Sequence, residues 1–374
     1  MEFGLSEEQQ LLKDSIARFV EREYSFDQRQ RLVTEGGGFS TANWRIFSDM
    51  GWLMLGIPES KGGLGGSVVD TAIVMEEFGK ALVVEPFLHA AILAARVLIE
   101  ARDESGLVEA IGSGEAMPVL AHGEADAFGM LNWVETRAEK SGAVWKITGG
   151  KSLVNAAPFA SHFIVSARKS GNAGDIEGIS LFLIAPDATG LSRHDGRLAD
   201  GSRAADISFD NCEGQLIGPE GAALPILKTA YAHATIALAA EAVGVMDKSL
   251  WTTRDYLQTR EQFGAPIGSF QALQHRMADM LIELEMARAQ VYRALAHLDA
   301  DPHTRDMAVS SMKVQIGRSA KYIGAQSIQL HGGMGMTEEY SIGHYFRRLC
   351  MIESAFGNTG VHLDRMATLD RKAA

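Results

Sequence analysis

Arg260, Phe263, Gln271, Gln329, Gly332 and Gly333 are the residues whose types and spacing point to chemistry. They fall in two segments. One is Arg260-Glu261-Gln262-Phe263-Gly264 with Gln271 eleven positions after the arginine; the other is Gln329-Leu330-His331-Gly332-Gly333-Met334-Gly335-Met336-Thr337. A guanidinium presents a fixed fork of donors that matches a pyrophosphate. Closely spaced glycines let a backbone approach something flat and bulky, or anionic, because a Cβ would stand in the way. Taken singly, each segment has a plainer reading: an arginine paired with a carboxylate, a phenylalanine in the core, a glycine-rich turn. The two together, in this order late in a helical chain, weaken those readings.

The elements that must position these residues are legible from periodicity. The first third reads as helices. Ser6 with Gln9 has the form of a capping box, and Leu11, Leu12, Ile16, Phe19 and Val20 recur at helical spacing. Gly36-Gly37-Gly38 breaks the pattern before a helical stretch around Trp44 to Met50, and Pro58 to Gly66 is a loop. Ser67 to Ala81 and Leu88 to Glu100 return to helix. From about Met117 short alternating runs take over: Val119–His122, Leu131–Glu139, Val144–Thr148, His162–Ala167, Ile179–Ile184 and Ala205–Phe209. Turn material such as Ser141-Gly142, Thr148-Gly149-Gly150 and Pro186-Asp187 separates them. Beyond Pro219 helix persists through Leu227–Thr259, Leu273–Leu298, Asp306–Leu330 and Ile342–Ala355. The expected class is α+β with three domains: a helical one over 1–116, a β-domain over 117–217 and a helical one over 218–374.

Bulk properties exclude several functions. The 374 residues carry a net charge of −12 and no dense Lys/Arg block, which argues against a nucleic-acid surface. Cys212 and Cys350 are the two cysteines and form no Cys-x-x-Cys pattern, so neither a disulfide framework nor a metal site is expected. No apolar run approaches the ~18–20 residues of a membrane span, and the acidic start has no signal-peptide core. A cytoplasmic protein with no membrane partner is the expectation.

The two segments and the helix–strand–helix order resemble the acyl-CoA dehydrogenase family over nearly the whole chain. The resemblance extends to Pro58-Glu59-Ser60-Lys61-Gly62-Gly63-Leu64-Gly65 followed by a helix with Glu76-Glu77-Phe78-Gly79. It implies an N-terminal helical domain, a middle β-barrel-like domain and a C-terminal four-helix bundle. It also implies FAD, an acyl-CoA substrate and an electron-transfer flavoprotein as electron acceptor. By resemblance, Arg260 lies on the pyrophosphate, Phe263 packs on the cofactor, and Gln271, Gln329, Gly332 and Gly333 complete a grip on the adenosine diphosphate end of an FAD held mainly by a neighbouring subunit.

The rest of the family's active site is eroded here. The segment that seats the isoalloxazine ring, like Thr-Glu-Pro-x-Ala-Gly-Ser-Asp, is Gly123-Glu124-Ala125-Asp126-Ala127-Phe128-Gly129-Met130, which keeps Glu124 but places Gly123 and Gly129 where hydroxyls would be. The Lys-x-Trp-Ile-Thr-Asn segment is Lys151-Ser152-Leu153-Val154-Asn155-Ala156, with Leu153 for the tryptophan and Asn155 for the threonine. The family's base removes a proton beside the thioester and must be a proton acceptor. Its usual Glu-Gly-Thr is Phe356-Gly357-Asn358; its alternative position, ten residues before Gly244, is Ala234, and the neighbouring arginine position is Thr235. Glu241, two helical turns beyond Ala234, and Glu353, one turn before Phe356, are displaced-base candidates; His233 is another acceptor nearby, with a structural role the plainer reading.

The ending Phe356-Gly357-Asn358-Thr359-Gly360-Val361-His362-Leu363 resembles the degenerate chains of heteromeric acyl-CoA dehydrogenases of steroid side-chain and dicarboxylic acid breakdown, as does the pimeloyl-CoA dehydrogenase small subunit type. The leading reading is therefore a subunit of an α2β2 assembly that completes an FAD site while a second acyl-CoA dehydrogenase chain supplies the glutamate. The alternatives are a self-sufficient homo-oligomer using Glu241 or Glu353, and a non-enzymatic scaffold.

Overall fold

A computed structural model describes residues 4–142 and 144–373. Contacts divide the chain into two compact units: Met1–Arg31, Ala72–Val83 and Thr235–Ala374 form one, Leu32–Thr71 and Val84–Ala234 the other. The helices before the sheet are α1 (Glu7–Glu23), α2 (Phe26–Thr34), α3 (Thr41–Asp49), α4 (Val68–Ala81), a π-helical stretch Leu88–Ala94 continuing as α5 (Ala95–Glu100), and α6 (Leu107–Gly112). The capping box forms: Ser6 Oγ accepts from Gln9 N–H and Gln9 Oε1 from Ser6 N–H. Ile16 and Phe19 of α1 are buried, while Leu11 faces solvent.

The sheet lies in the second unit. Its strands are β1 (Pro118–Ala121), β2 (Arg137–Ser141), β3 (Val144–Asn155), β4 (His162–Arg168), β5 (Ile179–Ile184), β6 (Leu191–Arg197) and β7 (Arg203–Ile217). The order is β1-β4-β2-β3-β7-β5, with β5 also pairing β4, so the path closes on itself. β4 and β5 run antiparallel from Phe163↔Ile184 to Arg168↔Ile179. Phe163, Val165, Phe182, Ile184, Ile147 and Phe209 fill the interior. Arg168 is buried there without a carboxylate hydrogen-bond partner. Its guanidinium instead donates to five carbonyls, those of Asn132, Val134, Ala173, Asp175 and Glu177, stitching two loops to the sheet.

Two expectations for this region need correction. Thr148-Gly149-Gly150 is not a turn; β3 runs straight through it. Gly149 has φ 143°, and the register shifts between Ile147 and Gly149, so the glycines mark a β-bulge. A Cβ on Gly149 would lie 2.7 Å from Thr136 Cα, which explains the residue type. Of Leu131–Glu139, only the last three residues are strand; the earlier part is the loop fastened by Arg168. β6 carries six exposed positions out of seven and pairs only with β7.

Helix resumes with α7 (Leu224–Thr259), followed by a two-residue hairpin, β8 (Glu261–Gln262) and β9 (Ala265–Pro266). Then come α8 (Gln271–Ala296), α9 (Pro302–His331), α10 (Ile342–Ser354) and α11 (Thr359–Ala373). α7 is buried all round in its middle, and its alanines permit close packing. Gly244 meets α4 backbone to backbone: a Cβ there would lie 1.9 Å from Glu76 O, and one on Gly79 would lie 2.2 Å from Glu241 O. No helix among the described residues is long and apolar enough to cross a membrane.

Candidate functional site

The two late segments meet in the first unit through their helices. Tyr256, one turn before Arg260 on α7, stacks on His331 at the end of α9, with ring centroids 4.4 Å apart and planes at 27°. Tyr340 closes on the other partner at 5.1 Å from His331. The end of α7 and the loop Gly332-Gly333 are thus held side by side by an aromatic cluster that the sequence reading did not single out. His331 is buried with Nδ1 2.8 Å from Ser327 O. A carbonyl only accepts, so Nδ1 carries the proton, and burial holds the imidazole neutral by lowering its pKa.

Arg260 uses only its backbone within the chain: its N–H donates to Tyr256 O and its carbonyl accepts from Ile267 N–H. Its guanidinium is exposed and makes no hydrogen bond or ion pair among the described residues. Gln271 opens α8 and Gln329 lies on the last turn of α9, both exposed and likewise without a side-chain partner. Phe263 sits at the hairpin tip with φ +55°, followed by Gly264 at +79°. A bulky residue in the left-handed region is costly, yet this ring is 94% exposed, with Phe270 edge-on to it at a centroid distance of 6.2 Å.

The glycines divide by cause. Gly335 is required by packing, since a Cβ would come within 2.9 Å of Ile328 O. Gly332 adopts φ +58°, ψ −135°, which only glycine reaches readily. Gly333 has neither constraint: its φ is not left-handed and a Cβ would meet open space. Nothing within the chain demands glycine at 333.

In the second unit, Ser152 N–H of β3 donates to Gly123 O and ties together the two segments expected to seat the ring. Behind them Lys151 is fully buried and donates to Glu124 Oε1 at 2.6 Å, Ser166 Oγ at 3.0 Å and His122 O at 3.2 Å. Glu124 also accepts from the backbone N–H groups of Glu135 and Thr136 and from the Thr136 hydroxyl. Burial lowers the Lys151 ammonium to about 8 against the pull of Glu124. Burial would raise the Glu124 carboxyl, but Lys151 and the donors hold it below the usual range. Burial, with Lys151 beside it, lowers His122 to about 3. This cluster fixes the loops and offers no group to solvent. Two apolar residues of these same segments are strained and exposed: Leu153 has φ +50° and is 65% exposed, and Phe128 has φ +45° and is 76% exposed. Leu153 sits at the second bulge of β3, where its N–H leaves the ladder for Asp206 Oδ1. The Asn155 amide turns back to Leu153 O, so it points to local structure.

Both displaced carboxylates are already engaged. Glu241 is buried and receives Arg348 in a bidentate pair, Nε–Oε1 2.6 Å and Nη2–Oε2 2.7 Å, so both its oxygens face a guanidinium. Glu353 Oε1 accepts from Thr359 N–H and caps α11. Phe356 and Gly357 hold positive φ, +58° and +98°, in a loop gripped from two sides. Lys313, buried on α9, donates to the carbonyls of Ile352, Glu353 and Gly357. His362 presents Nε2 to Phe356 O and Nδ1 to Ser310 Oγ. Burial, then Arg365 and Lys313, lower its pKa to about 3. Ala234 is buried on α7. No cluster of His, Cys, Asp or Glu among the described residues could hold a metal ion.

In chain order the described residues run from helices through a closed, mostly antiparallel sheet to helices, and the ends of α7 and α9 are held together by Tyr256 and His331. Family models for the acyl-CoA dehydrogenase N-terminal domain match residues 6–104, for the middle domain 124–212 and for the C-terminal domain 224–368. The chain belongs to the acyl-CoA dehydrogenase family, and its fold is that of the family: a helical N-terminal part, a middle β-domain and a helical C-terminal part. It is 28% identical to the "Probable acyl-CoA dehydrogenase YngJ" of Bacillus subtilis (strain 168), over 96% of this chain and 97% of that one. Among solved structures it resembles a variant of the Tcur3481-Tcur3483 steroid ACAD, at 26% identity and TM-score 0.89, over 98% of both chains. It also resembles PigA with FAD and proline, at 25% identity and TM-score 0.89, over 100% of both. The family is one of FAD-dependent oxidoreductases.

Proposed function

We propose that this chain completes an FAD site in an acyl-CoA dehydrogenase assembly whose catalytic glutamate, ring pocket and thioester pocket come from a second dehydrogenase chain, in an α2β2 arrangement. When bound, FAD supplies the hydride acceptor for α,β-dehydrogenation of an acyl-CoA thioester, and an electron-transfer flavoprotein takes the electrons onward. The residues fit one end of the cofactor. Arg260 would meet the pyrophosphate, Gly333 would admit it, Phe263 would cover part of the cofactor, and Gln271 and Gln329 would donate to it. They do not fit the ring end, where Gly123, Gly129 and Leu153 offer no hydroxyl.

The observation that carries this reading is the set of four side chains, Arg260, Phe263, Gln271 and Gln329, and one glycine, Gly333, that are exposed on the first unit with little or no use among the described residues. α8 supports it by exposing Leu281, Ile282, Met286 and Tyr292 along a helix packed on one side, an apolar face of the kind that other chains cover. The Arg348 pair on both oxygens of Glu241 and the use of Glu353 Oε1 at the start of α11 count against a self-sufficient enzyme, since each carboxylate already has a structural role. The steroid ACAD resemblance, whose name joins two chain designations, agrees with a heteromer. Arg260→Ala tests the reading. The assembled enzyme should lose flavin on dialysis faster than wild type by at least tenfold, the cost of a charge-assisted contact of about 1.5–3 kcal/mol. Unchanged flavin content would refute the assignment.

A further inference from the structure

The glycine loop is pinned a second time, downstream of its aromatic cluster, and this pin is built round a histidine. Glu338 takes Arg347 of α10 in a bidentate pair, Nη1–Oε1 and Nη2–Oε2 both 2.8 Å. His344, one turn earlier on α10, is 6% exposed. Its Nε2 lies 3.0 Å from Glu338 O and 3.3 Å from Glu338 Oε2. A carbonyl only accepts, so Nε2 carries the proton and Nδ1 keeps its lone pair. Arg347 Nη2 stands 3.0 Å from Nδ1. Phe26, edge-on at 4.9 Å, and Gln30 Nε2, 3.3 Å from His344 Nε2, wall in the ring from α2. The pin bears on the glycine loop directly. A Cβ on Gly343 would lie 3.3 Å from Gly335 O, so the start of α10 abuts that loop.

A second proton on His344 has no place in this arrangement. Nδ1–H would face Arg347 Nη2 donor to donor, and two cations would share the one carboxylate of Glu338. Arg29 on α2 is a further cation acting on the ring; Arg347, Arg29 and Glu338 are the charged groups that face it among the described residues. Burial, with Arg347 and Arg29 beside it, lowers the His344 pKa against the pull of Glu338. An imidazolium is unfavourable in a dry site, and lifting the least buried part of its cover is the easiest way to hydrate it. That part is loop 337–341, where the Glu338 side chain is 68% exposed.

We propose that His344 is a positioning residue for the cofactor grip and makes it acid-labile: proton uptake displaces Arg347 from Glu338, loosens loop 337–341 and frees the glycines from the adenosine diphosphate end of FAD. That the loop's ligand is FAD rests on the function proposed above; the acid-sensitive pin does not.

The pin is tested first in the purified full chain labelled with fluorotyrosine. The fluorine resonance of Tyr340, assigned by its loss in Tyr340→Phe, should move between about pH 7.5 and about pH 5. His344→Gln, which takes up no proton there, should remove that movement. His331, which also packs on Tyr340, is the same in both proteins, so their difference reports His344. This measurement needs neither FAD nor a partner chain, so its failure is separable from that of Arg260→Ala. In the assembled holoenzyme, wild type should release FAD about fivefold or more faster at the lower pH, as a proton that prefers the open loop requires. His344→Gln should flatten that ratio to less than about twofold. If His344→Gln does not fold, Glu338→Gln, a change at an exposed side chain, removes the carboxylate the proton would disturb and should flatten the ratio likewise. A Tyr340 resonance that titrates alike in wild type and His344→Gln, or a release ratio unchanged in both variants, would overturn the proposal.

Discussion

Replacing Phe263 by asparagine should move two properties in opposite directions. The turn at 263–264 has positive φ at both residues, the backbone that Asn-Gly adopts most readily in a two-residue hairpin. Phe263 is 94% exposed, so its removal uncovers almost no buried area within the chain. Relief of a left-handed bulky residue is worth up to about 1 kcal/mol, and the chain alone should be as stable as wild type or slightly more so. In the assembly the balance reverses. A phenylalanine that passes from exposed to covered contributes about 1.5–3 kcal/mol, so Phe263→Asn should weaken flavin retention or chain association about ten- to 150-fold. Denaturant unfolding and amide exchange at 261–266 of the isolated chain measure the first effect. Flavin release from the assembly measures the second. Retention within twofold of wild type would refute the idea that this ring is held out for another surface. Destabilisation of the isolated chain by more than about 1 kcal/mol would show that the ring packs within it.

The engaged carboxylates give a second expectation. Glu241→Gln should cost stability, about 3 kcal/mol, by stranding Arg348, and Glu353→Gln less, yet both should leave turnover by the assembly within about threefold; a loss of 1000-fold or more in either would install a displaced base. Gly244→Ala should unfold the α4–α7 contact or force it apart, visible as loss of soluble chain, because the new methyl would overlap Glu76 O; normal expression and stability would contradict that packing. His122 and His362 are held neutral with pKa lowered to about 3, against 6.5 when unfolded. The unfolded state therefore binds protons that the folded state does not as pH falls from 6.5 toward 3, and stability drops by up to about 1.4 kcal/mol per pH unit for each histidine. His362→Gln should flatten that slope in acid unfolding measurements, and an unchanged slope would place the proton uptake elsewhere.

Much of the scaffold was legible because it rests on local rules. Ile179–Ile184 reads as a strand by its apolar run and is one, and Ser6 and Gln9 cap a helix through bonds three residues apart. The misreadings share one cause, the dependence of a segment on partners far along the chain. Gly149-Gly150 looks like a turn until Thr136 is seen pressed against it. Leu191–Arg197 has no apolar alternation to announce a strand, because it is an edge whose strand partner is β7 and six of its seven positions are exposed. α6, six residues long, carries too few turns for a periodic reading. At the site, Arg260 and the glycines stood out by type and spacing. What joins them did not: Tyr256 and His331 are ordinary aromatic residues until the ends of α7 and α9 bring them together. Nor could sequence reveal that Arg348, 107 residues on, occupies both oxygens of Glu241.

The most direct measurement is the FAD-to-protein ratio and native mass of this chain, purified alone and co-purified with a second acyl-CoA dehydrogenase chain. The account expects a flavin-poor product alone and a flavin-loaded α2β2 species with the partner. Near-stoichiometric FAD in a homo-oligomer of this chain would contradict it.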